Sequence, residues 1–136
     1  MIVDSSALLA VILNEEDEPR YSAALIDAPV LRMSAANWVE AAIVVDAYKN
    51  PAAAVRFDDL FDVLRLRVES VTVEDAFRAR AAYSDYGRGH HPGRLNYGDC
   101  FAYALAKRCS EPLLFKGNDF SQTDVECHSA SGYVPP

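Results

Sequence analysis

Residues 95–120 hold two adjoining segments, Leu95 to Lys107 (LNYGDCFAYALAK) and Pro112 to Phe120 (PLLFKGNDF), joined by Arg108-Cys109-Ser110-Glu111. Asn96 is a helix-capping residue type, and the apolar run behind it carries a helix from Tyr97 to about Cys109. Asp99 falls in the first turn of that helix, where the dipole favours a carboxylate. Pro112 then opens a short apolar strand to Lys116, ended by Gly117, and 118–122 reads as a helical turn holding Asp119. A helix that leads straight into a buried-type strand is the grammar of an α/β sheet.

The same grammar extends towards the other end. Met1-Ile2-Val3 is a strand-like run that stops on Asp4, Ser5 and Ser6, three turn and cap formers, before a helix over Ala7–Leu13. A second helix is expected over Asp17–Asp27, a strand over Val30–Met33, and a helix capped by Ser34 over Ala35–Lys49. Pro51 opens another helix to about Leu64. Val68–Val73 alternates and is rich in valine, as strands are. Glu74–Tyr86 is helical by composition, Arg88–Arg94 is a loop, and Val125–His128 reads as a last short strand. The expected fold is α/β, three layers with a mostly parallel central sheet of four to five strands, formed by residues 1–128; residues 129–136 are expected to be a flexible tail. In such sheets ligands gather at the carboxyl ends of the strands.

The 136 residues suit one domain, and 51% of them are apolar, enough for a sizeable core. A net charge of −7 makes the chain a poor generic binder of nucleic acid, so a phosphate substrate requires bound cations or a local basic patch. The same charge suits a basic partner. Three cysteines without CxxC spacing argue against a zinc knuckle or a disulfide framework. With no basic stretch ahead of an apolar one and no apolar run of about 18 residues, neither a secretory signal nor a membrane span is expected; the expected location is cytoplasmic.

Four acids fall where an α/β sheet puts its site. Asp4 ends the first strand, Asp99 starts the helix before the last long strand, and Asp119 follows that strand. Glu40 sits among Trp38, Val39, Ala41, Ala42 and Ile43, where a carboxylate without a partner is costly. Each has a plainer reading: Asp4, Asp99 and Asp119 as helix caps, Glu40 as a salt-bridged core residue. Together they suit phosphodiester hydrolysis with Mg²⁺ or Mn²⁺, hard cations that take carboxylate oxygens and activate water. Clustered carboxylates without a cation repel and raise one another's pKa.

The opening Met1-Ile2-Val3-Asp4-Ser5-Ser6-Ala7-Leu8, Glu40 at its spacing from Ser34, and the two segments quoted first resemble the PIN-domain ribonuclease family, in particular its VapC toxins, over about residues 1–128. The resemblance implies a Mg²⁺- or Mn²⁺-dependent endoribonuclease, the toxin of a type II toxin–antitoxin pair. It implies that Asp4 and Asp99 ligate metal, that Glu40 ligates it or positions water, that Asp119 completes the acidic pocket, and that Ser6 supports Asp4. It also implies a homodimer and a VapB-like antitoxin that sets a basic residue against the carboxylates. One departure stands out. Many PIN domains carry an aspartate two residues before the position of Asp119, where this chain has Gly117.

Arg88-Gly89-His90-His91-Pro92-Gly93-Arg94 is the one basic patch, read either as a guide for RNA phosphates (Arg88, Arg94) or as a solvated loop. Its paired histidines lack further ligands at metal-binding spacing. Lys116 is either a phosphate contact or a surface lysine. Trp38, Tyr48, Phe57, Phe61 and Phe77 are expected in the core, or in part on a dimer face or antitoxin groove. Two alternatives remain beside the nuclease. A phosphatase-type domain needs a second acid close to the first, which Asp4-Ser5-Ser6 lacks. A catalytically inactive PIN-fold scaffold or RNA-binding module is favoured by Gly117 and opposed by Asp4, Glu40 and Asp99.

Overall fold

A computed structural model of the chain describes residues 1–132. Four short strands, β1 (Ile2–Val3), β2 (Arg32–Ser34), β3 (Arg67–Glu69) and β4 (Leu113–Leu114), form one parallel sheet in the order β3-β2-β1-β4. Helices α1 (Ser5–Ile12), α2 (Glu18–Asp27), α3 (Ala35–Ala47), α4 (Pro51–Leu64), α5 (Val73–Tyr86) and α6 (Tyr97–Cys109) cover it.

Alternation along two-residue strands divides the core. Val3 and Leu114, paired in register, join Leu8, Tyr21, Leu25, Met33 and Phe57 under the first four helices. Ile2 and Leu113, the neighbouring register pair, face the opposite way and pack with Leu105, Phe115 and Phe120 beneath α5 and α6. Period-two side-chain direction therefore builds the three expected layers from a handful of residues.

Most expected elements stand, with shifted ends. β2 is bounded at Arg32 rather than Val30, although the Val30 carbonyl accepts from the Met1 ammonium at 2.9 Å in line with the β1–β2 pairing. β3 covers Arg67–Glu69 only; Thr72 is withdrawn from it as the cap of α5, in a reciprocal capping box with Asp75. The Asp17 side chain does not cap α2 but bonds the Lys116 ammonium at 2.8 Å. The expected fifth strand reduces to one parallel bridge, Leu113 to Cys127.

One further expectation is corrected. Among the aromatic side chains assigned to the core, Phe57 is buried, whereas Tyr48 and Phe77 are 63% and 68% exposed. Trp38 is 36% exposed and packs tilted on Phe57 and edge-on to Phe61. Residues 129–132 bond to the domain: Ser131 Oγ accepts from Phe115 N–H and donates to the Leu113 carbonyl, and Arg20 donates to the Gly132 carbonyl at 2.9 Å. The rest of the expected tail, 133–136, lies outside the described residues. Among those described, no helix is long and apolar enough to cross a membrane, and Cys100, Cys109 and Cys127 are all free.

Candidate active site

Because all four strands are parallel, their carboxyl ends meet on one edge, and the acids converge there. Asp4 leaves β1 in an extended conformation (φ −79°, ψ 153°) and caps α1. Its Oδ2 accepts from the Ser6 N–H at 3.0 Å and from the Ser6 hydroxyl at 2.5 Å. Ser6 Oγ in turn accepts from the Lys116 N–H at 3.0 Å, so one hydroxyl ties Asp4 to the end of β4. Asp4 Oδ1 is buried and has no hydrogen-bond partner among the described residues. A bare carboxylate oxygen in that position is costly unless a proton or a cation meets it.

Asp99 does two things at once. Its Oδ2 accepts from the Asn96 N–H at 2.9 Å while Asn96 Oδ1 accepts from the Asp99 N–H at 2.9 Å, a capping box that fixes the start of α6. The plainer reading of Asp99 as a cap is thus true as far as it goes. Yet burial, and after it the charge of Asp4 and then of Asp119 and Glu40, push its carboxyl up to about 7. Burial raises Asp4 to about 6 against the pull of its Ser6 bonds, with Glu40 adding to the rise. Four acids distant in sequence therefore share one electrostatic environment.

Among the described residues Glu40 has no salt bridge. The Ser5 hydroxyl donates to its Oε1, and its carboxylate lies directly over Gly98, where an added Cβ would sit 2.0 Å from Oε2. Asn37, one turn earlier on α3, donates from Nδ2 to the Gly98 carbonyl at 2.9 Å and docks α3 against the first turn of α6. Ser5, Asn37 and Gly98 were not singled out from the sequence. Adjacent serines at the start of a helix point about a third of a turn apart, so Ser6 faces back to Asp4 while Ser5 faces α3. That divergence is the one signal the sequence offered.

Asp119 is exposed and precedes a single 3-10 turn, Phe120–Gln122. Its backbone carbonyl abuts Gly93, where a Cβ would meet it at 3.1 Å, so the basic loop lies against the fourth acid. The loop is closed at its base: Leu95 N–H donates to the Tyr86 carbonyl and Arg88 N–H to the Leu95 carbonyl. His91 packs edge-on against Tyr86 and accepts from Gly93 N–H, so this histidine serves the loop's own structure. Arg88 and Arg94 are exposed. The Lys116 ammonium pairs with Glu15 and Asp17.

Among the described residues no three His, Cys, Asp or Glu side chains form a ready cage for an ion. The donor set still fits Mg²⁺ or Mn²⁺, because such ions are held by one or two carboxylates and keep several waters. Asp4 Oδ1, buried and without a hydrogen-bond partner among the described residues, supplies the specific observation.

Residues 1–126 match the PIN domain family model. The chain is 48% identical over 127 residues to Ribonuclease VapC28 of Mycobacterium tuberculosis, an alignment covering 93% of this chain and 96% of that one. It belongs to the VapC-type PIN domains. Ribonuclease VapC30 of the same organism is 41% identical, over 92% of this chain and 95% of that protein. Among solved structures, M. tuberculosis VapC20, described as a sarcin–ricin loop cleaving toxin, superposes with a TM-score of 0.74 at 19% identity, covering 91% of this chain and 95% of that one. A toxin–antitoxin complex from Klebsiella pneumoniae gives 0.67 at 16% identity, covering 97% and 95%. At those identities the superpositions speak for the fold.

The PIN-domain frame gives Gly117 its meaning. Its φ of +97° is the left-handed region that glycine adopts freely, and a Cβ there would meet nothing. This chain turns sharply where many PIN domains carry an acid, and Asp119 follows within electrostatic reach of Asp99.

Proposed function

We propose that this VapC-type PIN domain is an endoribonuclease dependent on Mg²⁺ or Mn²⁺, the toxin of a toxin–antitoxin pair that acts in the cytoplasm and inhibits translation. Its relatives carry the name ribonuclease. The observation that carries the reading is the pair of buried carboxyls, Asp4 and Asp99, both raised and with one oxygen of Asp4 unpartnered.

In this reading Asp4 and Asp99 would hold the ion, and Asp119 would complete the acidic pocket. When bound, the cation supplies Lewis-acid activation of water and offsets phosphate charge. Ser6 fixes the rotamer of Asp4 through two hydrogen bonds. Glu40, steered by Ser5, orients the attacking water and takes its proton. The water oxygen bonds to phosphorus, a phosphorus–oxygen ester bond breaks, and the leaving oxygen is protonated from solvent. Arg88 and Arg94 receive flanking phosphates, which an acidic surface would otherwise repel.

A homodimer and a VapB-like antitoxin complete the proposal. A basic antitoxin side chain beside Asp4 and Asp99 would neutralise the charge a cation neutralises and exclude both metal and substrate. Lys116, paired with Glu15 and Asp17, plays the lesser part in RNA binding.

The test is incubation of antitoxin-free wild type and Asp99→Asn with total cellular RNA, with and without Mn²⁺, followed by sequencing of new ends. Discrete cuts by metal-loaded wild type alone are expected, and EDTA removes them. Folded wild type that makes no cuts sinks the nuclease and leaves the inactive PIN scaffold.

A further inference from the structure

Between α5 and α6 lies a groove of about 670 Å³, outside the acidic cluster but built on the same helix start. Its floor is apolar, with Ala79 and Cys100 buried beneath it. Tyr83 stands on the α5 side and Tyr97 and Phe101 on the α6 side. Tyr97 is 78% exposed, an aromatic ring left in water at the first position of a helix. It is braced edge-on by Phe101 with ring centroids 4.9 Å apart. Tyr83 is braced separately: its hydroxyl donates to the Arg88 carbonyl and its ring packs on His90. Both walls are therefore held while the space between them stays open.

Arg80 and Arg88 line the same groove and are exposed. Neither guanidinium has an ion-pair or hydrogen-bond partner among the described residues, in a chain with 20 acidic side chains against 13 basic ones. Asn96 lines it as well, and Asn96 is the residue that shares the capping box with Asp99. The groove thus gathers two unpaired arginines and three aromatic rings beside the first turn that carries an acid of the site.

We propose that this groove seats an unpaired nucleobase of the RNA substrate beside the cleaved bond, stacked on Tyr97 and Tyr83, with Arg80 and Arg88 taking the neighbouring phosphates. Stacking on aromatic side chains combined with arginine contacts is how proteins hold single-stranded nucleic acid. The volume falls within the range of small-molecule sites, which a nucleoside fits. A second copy of this chain is the lesser candidate, because two such faces would oppose their own unpaired arginines, whereas a polyanion satisfies them. The inference rests on the ribonuclease reading and adds where the RNA lies.

The test uses wild type, Tyr97→Ala and Arg80→Ala/Arg88→Ala. Binding of a labelled single-stranded RNA containing the mapped cut site is measured in Ca²⁺, together with steady-state cleavage in Mn²⁺ and sedimentation of each protein. The altered side chains are exposed, so each variant is expected to melt as wild type does. Loss of stacking should weaken RNA binding on the order of tenfold. KM should rise with kcat nearly unchanged, and base preference next to the cut should relax. Wild-type binding and base preference in both variants, with wild type cutting normally, overturns the groove and the phosphate role of Arg88 and leaves the nuclease standing. Variants that lose self-association while retaining RNA affinity overturn it in favour of a contact between copies. Wild type that neither binds nor cuts RNA removes the ribonuclease reading beneath it.

Discussion

At the scale of single residues, Gly98 says most about how the site is made. It lies within the helix α6, where alanine is intrinsically better by up to about 1 kcal/mol. Its lack of a side chain leaves the space that the Glu40 carboxylate fills. Gly98→Ala is therefore expected to melt no lower than wild type while cleaving RNA on the order of a hundredfold more slowly, the cost of displacing a reacting group by about an ångström. Shortening the displaced side chain in Gly98→Ala/Glu40→Asp should restore part of the loss; strictly additive losses in the double variant would refute the steric link. Glu40 itself was legible in the sequence, because a carboxylate inside an apolar run demands an explanation. Gly98 was not, because its reason belongs to a residue 58 positions away. Ser5 and Asn37 escaped for the same cause.

At the scale of elements, two helices begin with the same device and differ in what depends on it. α5 starts with Thr72 and Asp75, α6 with Asn96 and Asp99, each pair bonding reciprocally. Removing either cap should cost about 1 kcal/mol of stability. Only Asn96→Ala should also depress cleavage, since Asn96 holds the backbone that aims Asp99; Thr72→Ala should melt lower and cut normally at a temperature well below its transition. Equal activity losses in the two would show that α6 matters only as scaffold. The helices and the caps Ser34 and Asn96 were readable because local residues suffice to specify them. The strands were read at the right places but too long, since a sheet with two- and three-residue strands is delimited by its neighbours. Thr72 leaves β3 to cap a helix. The exposure of Tyr48 and Phe77 likewise depends on which helix face finds a partner, which periodicity alone does not reveal.

At the scale of the whole molecule, a net charge of −7 and a knot of carboxyls at one edge set how stability answers to pH and to divalent ions. Asp4 and Asp99 have folded pKa values of about 6 and about 7, above the ordinary 3.8. The folded state then binds protons more tightly than the unfolded one, so these groups weaken the metal-free fold as pH rises from about 4 and do so fully above about 7. A bound cation reverses the effect. Added Mg²⁺ should raise the melting temperature more at pH 8 than at pH 5, and Asp99→Asn should flatten the difference; an equal rise at both pH values would contradict it. The architecture carries one more consequence. Asp4 is held by residues far along the chain, by the Leu114 carbonyl that accepts its N–H at 2.9 Å and by Lys116 through Ser6. Translation delivers Asp4 more than a hundred residues before these partners. The acid edge therefore cannot assemble until residues 114–116 have been made, and a chain cut short of them lacks it.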